Sequence, residues 1–181
     1  MKLFKNFLLA FVPLFAVSCI THYFSQPLPV DAKEEFTMPK VIVGEWVGGE
    51  DTVYVEDLFW TINSTDSTGN RTSSIEFQMK NDSIVIKRWR NNYYFNTLES
   101  NGYWNLYLGH EHKNQFFLQR LAGEDTLTLN NAIGVVPDRI EKSNRFYDKS
   151  ITKRQLRKFV RKGGFCDTVM VFDMKTRTIL K

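Results

Sequence analysis

Cysteine is nearly absent from this chain: there are two in 181 residues, Cys19 and Cys166. That excludes the multi-disulfide framework by which small exported domains make up for a thin core. Long apolar runs are missing as well. A helix that spans the hydrocarbon core needs roughly 20 apolar residues, whereas the run from Phe7 to Val17 covers eleven positions and contains Pro13. No H-E-x-x-H, P-loop or G-x-S-x-G occurs, so the usual zinc-protease, nucleotide-hydrolase and serine-hydrolase signatures are excluded. No cofactor-binding pattern is visible either. A strong charge of one sign is also lacking, with 24 Lys and Arg against 20 Asp and Glu.

What is present begins at the amino terminus. Lys2 and Lys5 form a short positive region, the uncharged run follows, and Ala16-Val17-Ser18-Cys19 closes it with small residues before a thiol. A secretory signal has an apolar core of about 7–15 residues and a small-residue cleavage site. The segment resembles the lipobox of bacterial lipoproteins. That resemblance implies cleavage before Cys19, a diacylglycerol on its sulfur and usually a third acyl chain on the new amino terminus. A plain secretion signal or an uncleaved helical anchor is the alternative, but neither needs a cysteine at that position. Each buried methylene contributes about 0.8 kcal/mol, and two or more chains anchor stably. Ile20 rather than Asp follows the cysteine, so the inner-membrane retention signal of some bacteria is absent and the expected location is the outer membrane. Loss of Lys2 and Lys5 leaves 22 basic against 20 acidic residues, a net +2. Net charge therefore does not imply a strongly cationic surface.

The expected organisation is a signal peptide over 1–18, a lipidated Cys19 with a tether to residue 40, and one β domain over 41–181. Ile20 to Lys40 reads as a tether because it carries Pro27, Pro29, Pro39 and the charged run Lys33-Glu34-Glu35. Stretched out it would reach about 70 Å. The alternative is that Val30, Phe36 and Met38 pack part of it on the domain. With Cys19 assigned to lipid, Cys166 is alone, and its place between Phe165 and a strand-like segment predicts burial.

From Val41 onward turn signals recur at intervals of about 8–12 residues, the mark of an antiparallel sandwich or barrel. Asn81-Asp82, Asn91-Asn92, Asn101-Gly102, Lys113-Asn114 and Gly123-Glu124-Asp125 separate segments that read as strands, including Thr126–Leu129. Apolar and polar residues alternate, as in Trp104, Leu106 and Leu108 against Tyr103, Asn105 and Tyr107. Eight to ten strands are predicted. Near the end Thr152 and Gln155 have capping-box spacing, Ile151 can staple to Leu156, and Gly163-Gly164 supplies a stop, so a helix is predicted over Lys153–Lys162. Thr168–Phe172 returns as a strand.

Gly44-Glu45-Trp46 on the first strand after the tether resembles the G-x-W signature of lipocalins and related small barrels. The resemblance implies a mainly β fold, an antiparallel meander closing into a barrel with one late α-helix before the last strand. It also implies that Trp46 plugs the closed end, that Gly44 lets the chain bend, and that an arginine lies against the tryptophan, for which Arg177 is the candidate. Such a barrel holds packed side chains or one small ligand. Phe59, Trp60, Phe77, Phe95, Trp104, Phe116 and Phe117 are bulky enough to fill it.

Other candidate chemistry is sparse. Gly109-His110-Glu111-His112 offers two histidines on one strand face without a third ligand, so solvated loop histidines are expected rather than a metal site. Nothing in the sequence brings Cys166 to a histidine. Lys153, Arg154, Arg157 and Lys158 in the late helix suggest contact with an anionic surface, or else a solvated face. Lys153 and Arg154 oppose the helix dipole with no carboxylate in the first turn. Lys87-Arg88-Trp89-Arg90 before Tyr93-Tyr94-Phe95 is a mix that can stack bases, but export argues against nucleic acid. Asp51-Thr52-Val53, Asp82-Ser83-Ile84, Asp125-Thr126-Leu127 and Asp167-Thr168-Val169 resemble a bacterial O-glycosylation motif, and equally read as turn Asp before a strand.

The expected function is a non-enzymatic, lipid-anchored envelope protein. It binds a small apolar ligand or a partner at the barrel mouth. The alternative is a structural or interaction protein with a filled barrel. An enzyme acting on lipid or peptidoglycan ranks third.

Overall fold

The computed structural model describes residues 20–49, 51–65, 68, 70–79 and 83–180. The expected signal peptide over 1–18 and Cys19 lie outside these residues. In chain order the elements are β1 (Thr21–Phe24), β2 (Lys33–Glu35), a 3₁₀ turn (Lys40–Ile42), β3 (Gly44–Gly48), β4 (Asp51–Val55), β5 (Phe59–Thr65) and β6 (Arg71–Gln78). They continue with β7 (Ile84–Trp89), β8 (Asn92–Leu98), β9 (Trp104–His112), β10 (Gln115–Arg120), α1 (Asp125–Ile133), β11 (Arg139–Glu141) and β12 (Asn144–Tyr147). The last are α2 (Lys153–Arg161), β13 (Asp167–Asp173) and β14 (Thr178–Leu180).

The fold is mainly β, and all strands among the described residues belong to one mixed sheet. Two antiparallel meanders, β3-β4-β5-β6 and β7-β8-β9-β10, form most of it. β13 joins β10, β14 joins β13, and β14 meets β3 in parallel through Thr178 and Val47. The sheet is not closed, which corrects the expected barrel. Among the described residues no ladder joins β6 to β7, although only Met79 to Ser83 separate them. The Met79 amide donates to Leu58 and the Ser83 carbonyl accepts from Leu98, while the Ser83 hydroxyl donates to the Gln78 carbonyl at 2.7 Å across the gap. The count of fourteen strands exceeds eight to ten because of short pieces such as β2, β11 and β14.

The sheet separates two apolar cores. On its curled inner face Trp46, Val53, Trp60, Ile86, Phe95, Phe116 and Phe172 pack together. On the outer face of β8 and β9, Tyr94, Leu106 and Leu108 pack under the helices with Leu129, Leu156 and Phe159. Tyr94 and Phe95 are adjacent, point to opposite faces and are both buried. On this part of the sheet a helical layer covers the second face.

The tether expected over residues 20–40 is instead part of the domain. β1 runs parallel to β12 and touches β9 at Trp104. Phe24, Leu28 and Met38 are buried, and β2 adds to β7. The buried Asn96 amide fixes the crossing, accepting from the Leu28 amide at 2.7 Å and donating to its carbonyl at 2.9 Å. Prolines and charges shaped the expectation, whereas the apolar residues between them decide the packing.

α1 is a second departure. Thr126-Leu127-Thr128-Leu129 alternates like a strand, but Asp125, Leu129 and Ala132 are the buried positions of a helix. Leu127 is left 68% exposed. Gly134 ends the helix in the left-handed region at φ 69°. α2 forms as predicted, with a complete capping box between Thr152 and Gln155. Two strands follow it rather than one. The missing first-turn carboxylate comes from far away: Asp31 accepts from the Lys153 amide at 2.6 Å.

Candidate functional site

The Gly44-Glu45-Trp46 segment sits at one end of the inner core. Trp46 is fully buried, and its indole N–H donates to the Ile42 carbonyl at 2.7 Å, in the 3₁₀ turn just before β3. Phe172 meets its ring edge-on at 5.0 Å. The Arg177 guanidinium lies 4.9 Å from the Trp46 ring centre, a cation–π contact. Gly44 makes room for it. A Cβ at Gly44 would stand 3.2 Å from the guanidinium, and its φ of +135° is one that L side chains rarely adopt. Next to this segment the rings of Trp60, Phe95, Phe116 and Phe172 touch edge to face. The apolar hollow left among Trp60, Ile62, Ile84, Phe95, Leu118 and Met170 measures about 130 Å³.

The titratable residues are scattered. His110 lies on β9, not in a loop, and stacks on Phe117 at 5.4 Å. Burial pushes its pKa down, and the neighbouring His112 adds to this. His112 is exposed at the end of β9. No group of three or more His, Cys, Asp and Glu able to hold a metal exists among the described residues. Cys166 is exposed, contrary to the expected burial, because Phe165 takes the buried position before it. Its sulfur faces Glu124 at 3.6 Å and Asp125 at 3.7 Å. Local burial and these carboxylates push the thiol up to about 11, which makes it a poor nucleophile. Two buried polar residues have roles that the sequence did not indicate. Asp125 accepts from the Ala122 and Phe165 amides and clasps the start of α1 to the chain leaving α2. His22 lies 2.8 Å from the Ala122 carbonyl through Nε2 and 3.0 Å from the Tyr147 hydroxyl through Nδ1. A carbonyl only accepts, so Nε2 carries the proton and Nδ1 accepts from Tyr147.

The basic residues, by contrast, converge. Arg154, Arg157, Lys158 and Arg161 follow i, i+3, i+4, i+7 spacing and so share one face of α2. With Lys162 they line a cleft of about 680 Å³ whose other wall is Trp89 and Arg90 at the end of β7. The Arg157 and Arg90 guanidinium groups lie 5.7 Å and 5.1 Å from the Trp89 ring centre. A second hollow of about 580 Å³, lined by Trp89, Arg90, Asn91, Asn92 and Arg157, lies against the same Arg–Trp contact. Lys153, expected to act with its neighbours, is turned away to Asp31, bonding its carbonyl at 3.2 Å. Lys87 pairs with Glu34, and Arg88 lies over Tyr93. Two basic segments that the sequence shows separately thus form one site, without Lys153, Lys87 and Arg88 and with Arg161 and Lys162 added. The signal for the helix wall was its spacing. Nothing in the sequence indicated that the β7–β8 turn stands opposite.

Of the four Asp–Ser/Thr–aliphatic segments, Asp51 and Asp167 open strands, Asp125 is buried in α1, and Asp82 lies outside the described residues.

No family model, curated protein or solved structure matches the chain.

Proposed function

We propose that the chain is a lipid-anchored protein of the bacterial outer membrane whose lipocalin-like domain has a filled interior and works through its outer face. The observation that carries this reading is the ring cluster of the inner core, which leaves an apolar hollow of about 130 Å³. Pockets that enclose a small organic ligand measure about 300–1,000 Å³. The filled interior therefore favours interaction through the surface over the expected binding of a small apolar ligand.

Two further features support the reading. The buried Trp46, the positive φ of Gly44 and the Arg177 guanidinium against the Trp46 ring fit what the lipocalin resemblance implies. The amino-terminal pattern ending in Cys19 supports acylation, and β1 begins at Thr21, one residue beyond Ile20. An acylated Cys19 would hold the domain directly against the bilayer.

Native mass spectrometry of detergent-released protein tests both halves. The expected result is the mass of residues 19–181 plus acyl chains, with no retained apolar molecule. An unacylated mass, or equal membrane partitioning of Cys19→Ala, would refute the anchor. A stoichiometric apolar adduct would refute the filled interior and restore ligand binding at the mouth.

A further inference from the structure

We propose that the cleft between the end of β7 and α2 is a binding site for a ligand that carries two or more phosphate groups. The site does not depend on whether Cys19 is acylated.

The first argument is uncompensated charge. Arg90, Arg154, Arg157, Lys158, Arg161 and Lys162 line one cleft with no carboxylate in its wall. The ion pairs among the described residues engage Lys33, Lys87, Arg120, Arg139 and Lys153, none of them a cleft residue. A solvated helix face would let these cations spread into water. Here Trp89 forms the opposite wall and packs against the outer core, so the site has an apolar side. A cleft of one charge sign with a low-dielectric wall focuses its potential and draws counter-ions in. The C-terminal end of α2 opposes an anion with roughly half a negative charge. Six cations outweigh that.

The second argument is chemical type. Four of the six cations are arginines. The planar guanidinium fork matches the paired oxygens of phosphate and binds them bidentately, whereas lysine acts as a point charge. Charge count sets the number of groups. One phosphate monoester carries about −1.5 to −2 at neutral pH, which leaves most of the cleft's repulsion in place. Two such groups bring about −3 to −4, which offsets more than half of the six positive charges, and a third offsets most of the rest. The volume of about 680 Å³ holds such a head group. An apolar ligand is disfavoured because Trp89 is the cleft's only large ring. The phosphates could belong to a lipid head group or to a soluble phosphorylated compound, and the chemistry in the cleft is the same.

The test uses the full chain in detergent and isothermal titration at low salt, with pyrophosphate and with lipid A bearing two phosphate monoesters in micelles as probes. Arg157→Gln with Arg161→Gln removes two cleft charges. Lys149→Gln with Lys175→Gln removes two charges outside it. All four side chains are exposed, and equal melting temperatures confirm that each variant is folded. The expected result is saturable binding of at least one phosphate probe that falls about tenfold or more in the cleft variant and stays within about twofold in the other. Binding of lipid A alone assigns the phosphates to a lipid, and binding of pyrophosphate assigns them to a soluble compound. Equal losses in both variants, or saturable binding of neither probe, would overturn the proposal.

Discussion

His22 shows what a single buried residue does to the whole stability curve. Burial, the largest cause, lowers its pKa from 6.5 to about 4. The unfolded chain therefore binds this proton first, and the stability the neutral ring contributes is complete above pH 6.5. It is lost as pH falls from 6.5 towards 4, a decline on the order of 3 kcal/mol. Urea midpoints measured between pH 7 and pH 4 should fall accordingly, and His22→Gln should flatten that slope. Cys166 gives a kinetic prediction. With its thiol pushed up to about 11, the thiolate fraction at pH 8 is about a hundredfold below that of an ordinary cysteine. Greater intrinsic nucleophilicity returns about tenfold. Iodoacetamide should then modify this exposed thiol about tenfold more slowly than it does a free cysteine, and Glu124→Gln should raise the rate. Neither property was legible in the sequence. His22 lay in what read as a tether, and the carboxylates that hold back Cys166 sit on α1, some forty residues earlier.

The elements that could be read in advance are those whose signals are local. The capping box of α2 involves residues three apart, and β7, β8 and β10 fall between turn signals where the spacing placed them. α1 was misread because Leu127 and Leu129 alternate, while the helical spacing of Leu129 with Ala132 and the stop at Gly134 were passed over. β9 extends through His112, past the alternating run from Trp104 to Leu108, and Gly109 explains part of that extension. A Cβ at Gly109 would lie 2.5 Å from Phe116 and 2.6 Å from Phe95, so the missing side chain lets two core rings cross the strand. Gly109→Ala should cost about 1–3 kcal/mol by overpacking, seen as a lower melting temperature. A glycine in a solvated loop, as the sequence suggested, would tolerate the change.

For the whole molecule, the segment before Val41 is the largest revision. Phe24, Leu28 and Met38 are each buried, and each contributes about 1.5–3 kcal/mol. Together they match a large part of the 5–15 kcal/mol that holds an ordinary domain folded. A chain beginning at Val41 should therefore lack a cooperative thermal transition by circular dichroism. Long-range placement explains why none of this was visible, since β1 pairs with residues more than 120 positions away. The same distance hid the meeting of the KRWR segment with the late helix. Lastly, β8 and β9 are sandwiched between two apolar cores, so neither core can melt while leaving the other its floor. The amide protons of Tyr94, Phe95, Leu106 and Leu108 should be the last to exchange into deuterated solvent, and they should do so together, at the rate of global opening.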